Sequence, residues 1–353
     1  MLLRLPVELV ERIMRLALPV EITGTTYSER QAILRACCLV SSRLRAIVQP
    51  ILEEALWIRY GRGISWKQAK DSLSRLGKRL RFLWVAEHWE ARAADFAALL
   101  SSCTGLRDLR LCHWRAFNLC TLKDLSGLRR LVLDYVNLDG TICPLHSVTE
   151  LSLCYVTTMH EACETVLPPT TFPSLRHLFF TPDAMDSLLP SPSLFSSLVS
   201  IVIAMNSLAH GTMAYEHPSI SCLGQVYEDF LDGALWIELC EHAEHVQIVP
   251  DSYWNPAETD VLDGLADALE HCSSPPSIRL RLVYLPSAFS ACTCDTCKKC
   301  NNLARFRRAC AARGISVETE DYEDQYGAWV GSRKFVAYAE QKKREREAEQ
   351  VAG

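Results

Sequence analysis

Six copies of one apolar spacing, Leu-x-x-Leu-x-Leu with Val, Ile or Phe at some positions, run through the middle of this 353-residue chain. Successive copies begin 26, 22, 20, 27 and 23 residues apart. The last two apolar positions of each copy alternate, which is typical of a short strand with one buried face. A single unit of this size is too small to bury that face alone, so the units are predicted to stack. The copies begin at Leu80, Leu106, Leu128, Val148, Leu175 and Leu198.

This period resembles that of leucine-rich repeats in their irregular form. The resemblance implies an α/β solenoid over residues 61–320, with parallel strands on a concave side and helices or loops on the other side. Weaker copies near residues 246 and 280 extend the pattern, and helices are expected over 91–100, 258–271 and 302–313, the last capped by Asn302. A doubly wound sheet is the alternative, although 20 to 27 residues is short for most of its crossovers.

The residues between the core positions of each strand are expected to face outward on the concave side. They mix aromatic, acidic and basic groups, which suits a protein or peptide better than a nucleic acid. We therefore expect a client protein to bind there. The candidate client-binding residues are Phe82, Trp84, Asp108, Arg110, Arg130, Asp134, Glu150, His177 and Phe179.

The first fifty residues predict three short amphipathic helices. Pro6 suits the start of the first helix, and Pro19 ends it. Glu21 to Ser28 is expected to form a loop, because it combines Gly24 with several Thr and Ser residues. Three helices of this length enclose little core, so they need a partner or contact with the rest of the chain.

Two segments here, LPVEL at 5–9 and LVSSRLR at 39–45, resemble in order the opening and middle motifs of the F-box family. Residues 51–57 resemble its closing stretch. The resemblance covers residues 3–60 and implies a three-helix F-box-like module that docks on the Skp-type adaptor of a cullin-based, SCF-type ubiquitin ligase. The residues that would contact the adaptor, or hold the helices that do, are Leu5, Pro6, Leu9, Ile13, Leu39, Val40 and Leu44.

On this interpretation the chain is a substrate-recognition subunit and not an enzyme, because catalysis belongs to other subunits. No serine nucleophile elbow, dinucleotide loop or phosphate-binding loop occurs in the sequence. The net charge of −5 argues against nucleic acid as a partner. The apolar stretch at 198–205 is too short to cross a membrane.

The chain has sixteen cysteines, whose expected oxidation state depends on the compartment of the protein. Charged residues interrupt the first 18 residues, and no Asn-x-Ser/Thr sequon occurs, so we expect a protein of the cytoplasm, the nucleus or both. Its cysteines should then be mostly buried, reduced thiols.

One cysteine cluster has the spacing of a candidate soft-metal site: Cys292, Cys294, Cys297 and Cys300. Structural zinc sites usually take two separated pairs of ligands, so the preferred interpretation is a thiol-rich surface loop, with no cofactor. A reversible disulfide is a further possibility.

Two alternatives to the ligase interpretation stay open. The chain is either a repeat scaffold unrelated to ubiquitin ligation or a metal-binding protein that uses the cysteine cluster. In the first case the N-terminal helices only cap the solenoid, and deleting residues 1–60 unfolds it. Residues 321–353 are predicted to form a charged C-terminal tail, helical over 341–350.

Overall fold

The computed structural model describes residues 5–19, 24–59, 66–86, 93–139, 143–154, 156–158, 169–180, 199–205, 222–227, 245–250, 260–272, 280–286 and 297–320, with isolated positions between and after these ranges. The chain divides into two compact units, residues 1–174 and 175–353. Each unit combines helices with parallel strands. In the part of the chain so described, no helix is both long and apolar enough to cross a bilayer.

The first unit opens with three helices, α1 (Val7–Ala17), α2 (Gly24–Val40) and α3 (Ser42–Leu52). Ser41 caps α3, since its hydroxyl accepts a hydrogen bond from the Leu44 N–H. Because α2 begins at Gly24, the loop predicted over residues 21–28 is too long. The helices share a core of apolar residues at helical spacing: Val10, Met14, Leu18, Leu34, Cys38, Leu44, Ile47, Val48 and Ile51.

Five strands of the first unit pair in chain order, each parallel to the next. They are β1 (Ala55–Arg59), β2 (Phe82–Ala86), β3 (Asp108–Phe117), β4 (Arg130–Leu138) and β5 (Glu150–Cys154). A short strand, β6 (Thr157–Thr158), pairs with the end of β4. Helices α4 (Trp66–Leu76) and α5 (Ala93–Leu100) lie in the first two connections between strands.

Six strands of the second unit also pair in chain order and in parallel. They are β7 (His177–Phe180), β8 (Ser200–Met205), β9 (Cys222–Tyr227), β10 (His245–Pro250), β11 (Leu282–Pro286) and β12 (Ser316–Glu320). Helix α6 (Asp260–His271) precedes β11, and helix α7 (Lys298–Ala312) precedes β12. Gly314, at φ +73°, ends the turn after α7 in a left-handed conformation that glycine adopts without strain.

Rows of leucine fill the core behind the first sheet. The strand register aligns Leu83, Leu109, Leu131 and Leu151, all of them 0–1% exposed. Each leucine contacts the equivalent residue of the next repeat, so burial comes from stacking and not from a single unit. Burying one such side chain contributes roughly 1.5–3 kcal/mol.

The repeat spacing correctly predicts parallel strands. Its six copies lie on β2 to β5, β7 and β8, and the weaker copies lie on β10 and β11. The spacing did not predict β1, β6, β9 or β12. Around β11, Leu280, Val283 and Leu285 are fully buried at the spacing of the other copies, so the weak copy is better written with these three residues.

One finer prediction from the sequence needs correction. Cys297, and not Asn302, is the cap of α7, and Asn302 is buried within the helix. β1 lies inside the predicted 3–60 module but pairs with β2, so the sheet already begins within that range. The predicted boundaries at residues 60 and 320 stay predictions.

Candidate interaction surfaces

Helix α1 carries apolar side chains on two faces. Val10 and Met14 lie in the core shared by the three helices. On other sides of the helix, Leu9, Ile13 and Leu16 follow one another at i, i+4 and i+7 and are 48%, 40% and 78% exposed. Packing within the chain therefore accounts for only one of the two apolar faces.

A second exposed apolar group lies at the junction of α2 and α3, where Leu39 is 80% and Val40 67% exposed. Arg43, in the first turn of α3, donates a hydrogen bond from Nη2 to the carbonyl oxygen of Leu5 at 2.6 Å. This bond holds the segment before α1 beside the start of α3. We call the exposed set the helical apolar surface; its members are Val7, Leu9, Ile13, Leu16, Leu39 and Val40.

The seven predicted adaptor-binding residues separate into two groups. Five of them, Pro6, Leu9, Ile13, Leu39 and Val40, are exposed. Leu5 is half-buried against the helical core, and Leu44 is buried within it. Leu44 therefore holds the helices in place and is not available for direct contact with a partner.

The predicted client-binding row is covered instead of open. In the first unit the register places Asp108, Arg130 and Glu150 side by side on adjacent strands. Arg130 donates from Nη1 to Asp108 at 3.1 Å and from Nε to Glu150 at 2.7 Å. Arg130 is only 7% exposed, so it pairs with these two carboxylates within the molecule.

An aromatic run continues from this row toward the helices. The guanidinium carbon of Arg110 lies 5.4 Å from the Phe82 ring centroid and 5.7 Å from that of Trp84, within cation–π range. Trp84 stacks on Trp57 at 4.5 Å. Tyr27 of α2 packs edge-on against Trp57, and its hydroxyl accepts the backbone N–H of Trp57. These contacts attach α2 to the first strand of the sheet.

In the second unit, His177 and Phe179 are also buried. The Nδ1 atom of His177 lies 2.7 Å from the Ser200 hydroxyl, and its Nε2 atom lies 3.1 Å from a carboxylate oxygen of Glu340. Arg176 donates to the other oxygen of Glu340. These contacts, chiefly the hydrogen bond with His177, hold the pKa of Glu340 below its ordinary value. A residue of the predicted tail thus packs on the strand row.

Five of the nine predicted client-binding residues are buried, and four are half-buried. The expectation that this row is open to solvent is therefore wrong. Facing side chains of neighbouring strands pair with one another, and Glu340 packs on the row at His177. The role of the row in client binding stays a prediction. The half-buried members are Trp84, Asp108, Asp134 and Glu150.

Two exposed aromatic rings in the first unit were not predicted from the sequence. His113 and Tyr135 have φ values of 60° and 51°, a region that costs a non-glycine residue roughly 1–3 kcal/mol. Their rings stack at 5.0 Å with an interplanar angle of 12°. Each lies two residues after the last leucine of its copy, Leu111 or Leu133. Equivalent aromatic residues in successive copies were the signal that would have identified this pair.

Beside this pair, burial changes the acidity of two groups. Burial raises the pKa of Asp134 and raises the pKa of the Cys112 thiol to about 12. The indole N–H of Trp84 also donates to the sulfur of Cys112 at 3.1 Å. Cys112 is therefore a neutral, packed thiol and not a candidate nucleophile.

Three groups can be distinguished among the described cysteines. Cys120 and Cys143 form a disulfide, which the expectation of mostly reduced thiols did not include. Cys294, Cys297 and Cys300 lie close together, and Cys292 lies outside the described residues. The buried free thiols, as expected, are Cys38, Cys103, Cys112, Cys154, Cys240 and Cys310.

Comparison with known proteins adds little to these observations. No protein-family model matches the sequence, and no curated protein matches it. Among solved structures, an internalin from Listeria monocytogenes strain 4b F2365 is similar at 11% sequence identity, with a TM-score of 0.30. The alignment covers 84% of this chain and 95% of the internalin chain. A TM-score this low supports no statement about a shared fold or function.

Proposed function

We propose that this chain is the substrate-recognition subunit of an SCF-type cullin ubiquitin ligase, and that its N-terminal helices dock on a Skp-type adaptor. The observation that carries the proposal is the helical apolar surface. Its six large apolar side chains stay exposed on helices that already have a filled core. Large apolar side chains left exposed on one small helical module favour an interaction site.

The choice of partner rests on the order of two motifs. The F-box-like segments at 5–9 and 39–45 supply most of the helical apolar surface, and Arg43 joins them through its bond to Leu5. A short amphipathic helix that lays an apolar face into a partner's groove is a common mode of recognition. Docking would also stabilise α1 and α3, which have 11 residues each and are short for helices that stand alone.

Under this proposal the repeat units bind the client protein. The His113–Tyr135 pair is the better candidate for first contact, because its rings are exposed and held in a strained backbone conformation. The half-buried residues of the strand row would extend that contact. The subunit performs no catalysis itself and works inside the cell, in the cytoplasm, the nucleus or both.

The test is co-purification of the intact chain with the adaptor. We expect Leu9→Asp and Leu39→Asp each to reduce adaptor recovery at least tenfold, because a charge placed on an apolar contact is desolvated without a partner. Val351→Asp is the matched control, since Val351 is 89% exposed and lies in the other unit. Absence of adaptor binding by the unmodified chain contradicts the proposal.

A repeat scaffold unrelated to ubiquitin ligation is the second candidate. The contact of Tyr27 with Trp57 favours it, because it shows α2 packing on the first strand as a cap does. Deleting residues 1–60 does not separate the two functions, since it also removes β1 from the sheet. Leu39→Asp does separate the two functions. If the helices only cap the repeats, this substitution leaves every binding activity of the chain unchanged.

A further inference from the structure

Three cysteine thiols meet at the start of helix α7. The sulfur atoms of Cys294, Cys297 and Cys300 all lie within 4.8 Å of one another. Cys294 is exposed, and the other two are half-buried, so the cluster is open to solutes from one side. Sulfur ligands on one tetrahedral zinc ion, bonded at about 2.3 Å, lie roughly 3.8 Å apart. The thiols therefore need only small side-chain adjustments to share one ion.

The local backbone already suits a thiolate at this position. Cys297 is the N-cap of α7, and its sulfur accepts a hydrogen bond from the backbone N–H of Cys300 at 3.4 Å. The N-terminus of a helix carries a partial positive charge, which attracts an anionic sulfur ligand of a metal. Lys298, exposed in the first turn, adds a positive charge to this end of the helix.

Two other groups among the described residues of the second unit are weaker candidates. Cys310, on the same helix, is buried, which raises its pKa to about 12, so it is held as a neutral thiol. Asp267, Glu270 and His271 also lie close together, but Arg305 already pairs with both carboxylates at 3.0 and 2.6 Å. The three thiols are therefore the stronger candidate for a cation.

We infer that Cys294, Cys297 and Cys300 bind one soft divalent metal ion, with zinc as the expected occupant. Binding forms three metal–sulfur bonds and releases the thiol protons to solvent, with no change of oxidation state. Three protein thiolates leave one tetrahedral position for a further ligand. This site is independent of adaptor binding and lies in the other unit.

The ion would fix the start of α7 to the segment that precedes it. Downstream, α7 is already attached to α6, because Arg305 pairs with Asp263 and Arg313 donates to the Leu269 carbonyl. The first turn of α7 is capped by Cys297. A metal bridge from Cys294 to Cys300 would therefore anchor that end and stabilise the return from β11 to β12.

The experiment is metal analysis of the full-length chain, purified under reducing conditions without chelator. We expect about one zinc per chain, and we expect the metal-stripped protein to bind cobalt with the intense thiolate charge-transfer and tetrahedral absorption bands. Cys297→Ser and Cys300→Ser should each lower bound metal at least tenfold. Cys272→Ser, a half-buried cysteine after α6, is the control and should retain full metal content.

Three outcomes overturn the inference. The first is clearly sub-stoichiometric zinc together with no thiolate band in the cobalt titration. The second is a disulfide between two of the three thiols in protein kept under reducing conditions, shown by peptide mass mapping. The third is full metal content in both the Cys297→Ser and the Cys300→Ser variants, which would place the metal elsewhere.

Discussion

The N-terminal helices and the strands of the first unit use the same residue type in opposite ways. Leu83, Leu109 and Leu131 are fully buried, because each contacts its equivalent on the next strand. Leu9 and Leu39 are 48% and 80% exposed. Charge does not prevent burial either, since Arg130 of the sheet is buried between two carboxylates.

The difference shows that exposure depends on whether the chain supplies a neighbour and not on polarity alone. In the repeats every strand has a copy beside it, so both apolar and charged side chains find partners within the molecule. Within the described residues, the three-helix module has no second copy against its outer face. Six of its large apolar residues therefore stay exposed.

The largest expected effect concerns the leucine rows. Leu131→Ala should lower the free energy of unfolding by roughly 2–5 kcal/mol, because it leaves a cavity between β3, β4 and β5. The matched change on the helices, Leu39→Ala, should alter it by no more than about 0.5 kcal/mol. Urea unfolding of both variants measures this difference, and similar losses of unfolding free energy in the two variants would contradict it.

The charged row should be the next most sensitive feature. Arg130→Ala leaves Asp108 and Glu150 facing each other without their cation, and we expect a loss of about 2 kcal/mol in unfolding free energy. The value is reduced from that of a fully buried pair because the two carboxylates are 17% and 20% exposed. Arg130→Lys should recover only part of the loss, since lysine does not match the two-sided geometry of arginine. Equal stability of the alanine variant and the unmodified chain would contradict a stabilising role for the pairing of Arg130 with the two carboxylates.

The strained aromatic pair should show the opposite sign. Tyr135→Asn should keep or raise the free energy of unfolding by up to about 1 kcal/mol, because asparagine tolerates a positive φ better than tyrosine. The same change should weaken client binding, since it removes the exposed ring. Thermal unfolding and capture of client by adaptor-bound protein measure the two effects. A destabilised variant that still binds its client would show that the pair is structural.

The smallest effect concerns Glu340 and depends on pH. Its pKa is lowered from an ordinary 4.5 by the hydrogen bond with His177 and by Arg176 and Lys343. The ionised carboxylate therefore stabilises the contact above about pH 4.5, and this stabilisation is lost as the pH falls through the lowered value. Hydrogen exchange near residue 340 should increase over that range. Glu340→Gln should remove this pH-dependent increase in hydrogen exchange. An unchanged increase in that variant would show that another group causes it.

Much of the fold was predictable from the sequence, because one apolar pattern, Leu-x-x-Leu-x-Leu, recurs every 20 to 27 residues. β12 was missed because its outward positions are polar, and only Val317 and the preceding Ile315 mark it. β1 was missed because it follows α3 without the leucine spacing of the later copies. The burial of the strand row at His177 was not predictable either, because Glu340, which contacts His177, lies 163 residues later in the sequence.

Footprinting of the helical apolar surface tests the central claim most directly. The intact protein is labelled with a photoreactive carbene reagent, alone and with saturating adaptor, and labelling is measured by residue. We predict strong protection of Leu9, Ile13, Leu39 and Val40 in the complex, and unchanged labelling of Val351. Equal labelling of the four residues with and without adaptor would contradict the assignment of this surface as the docking site.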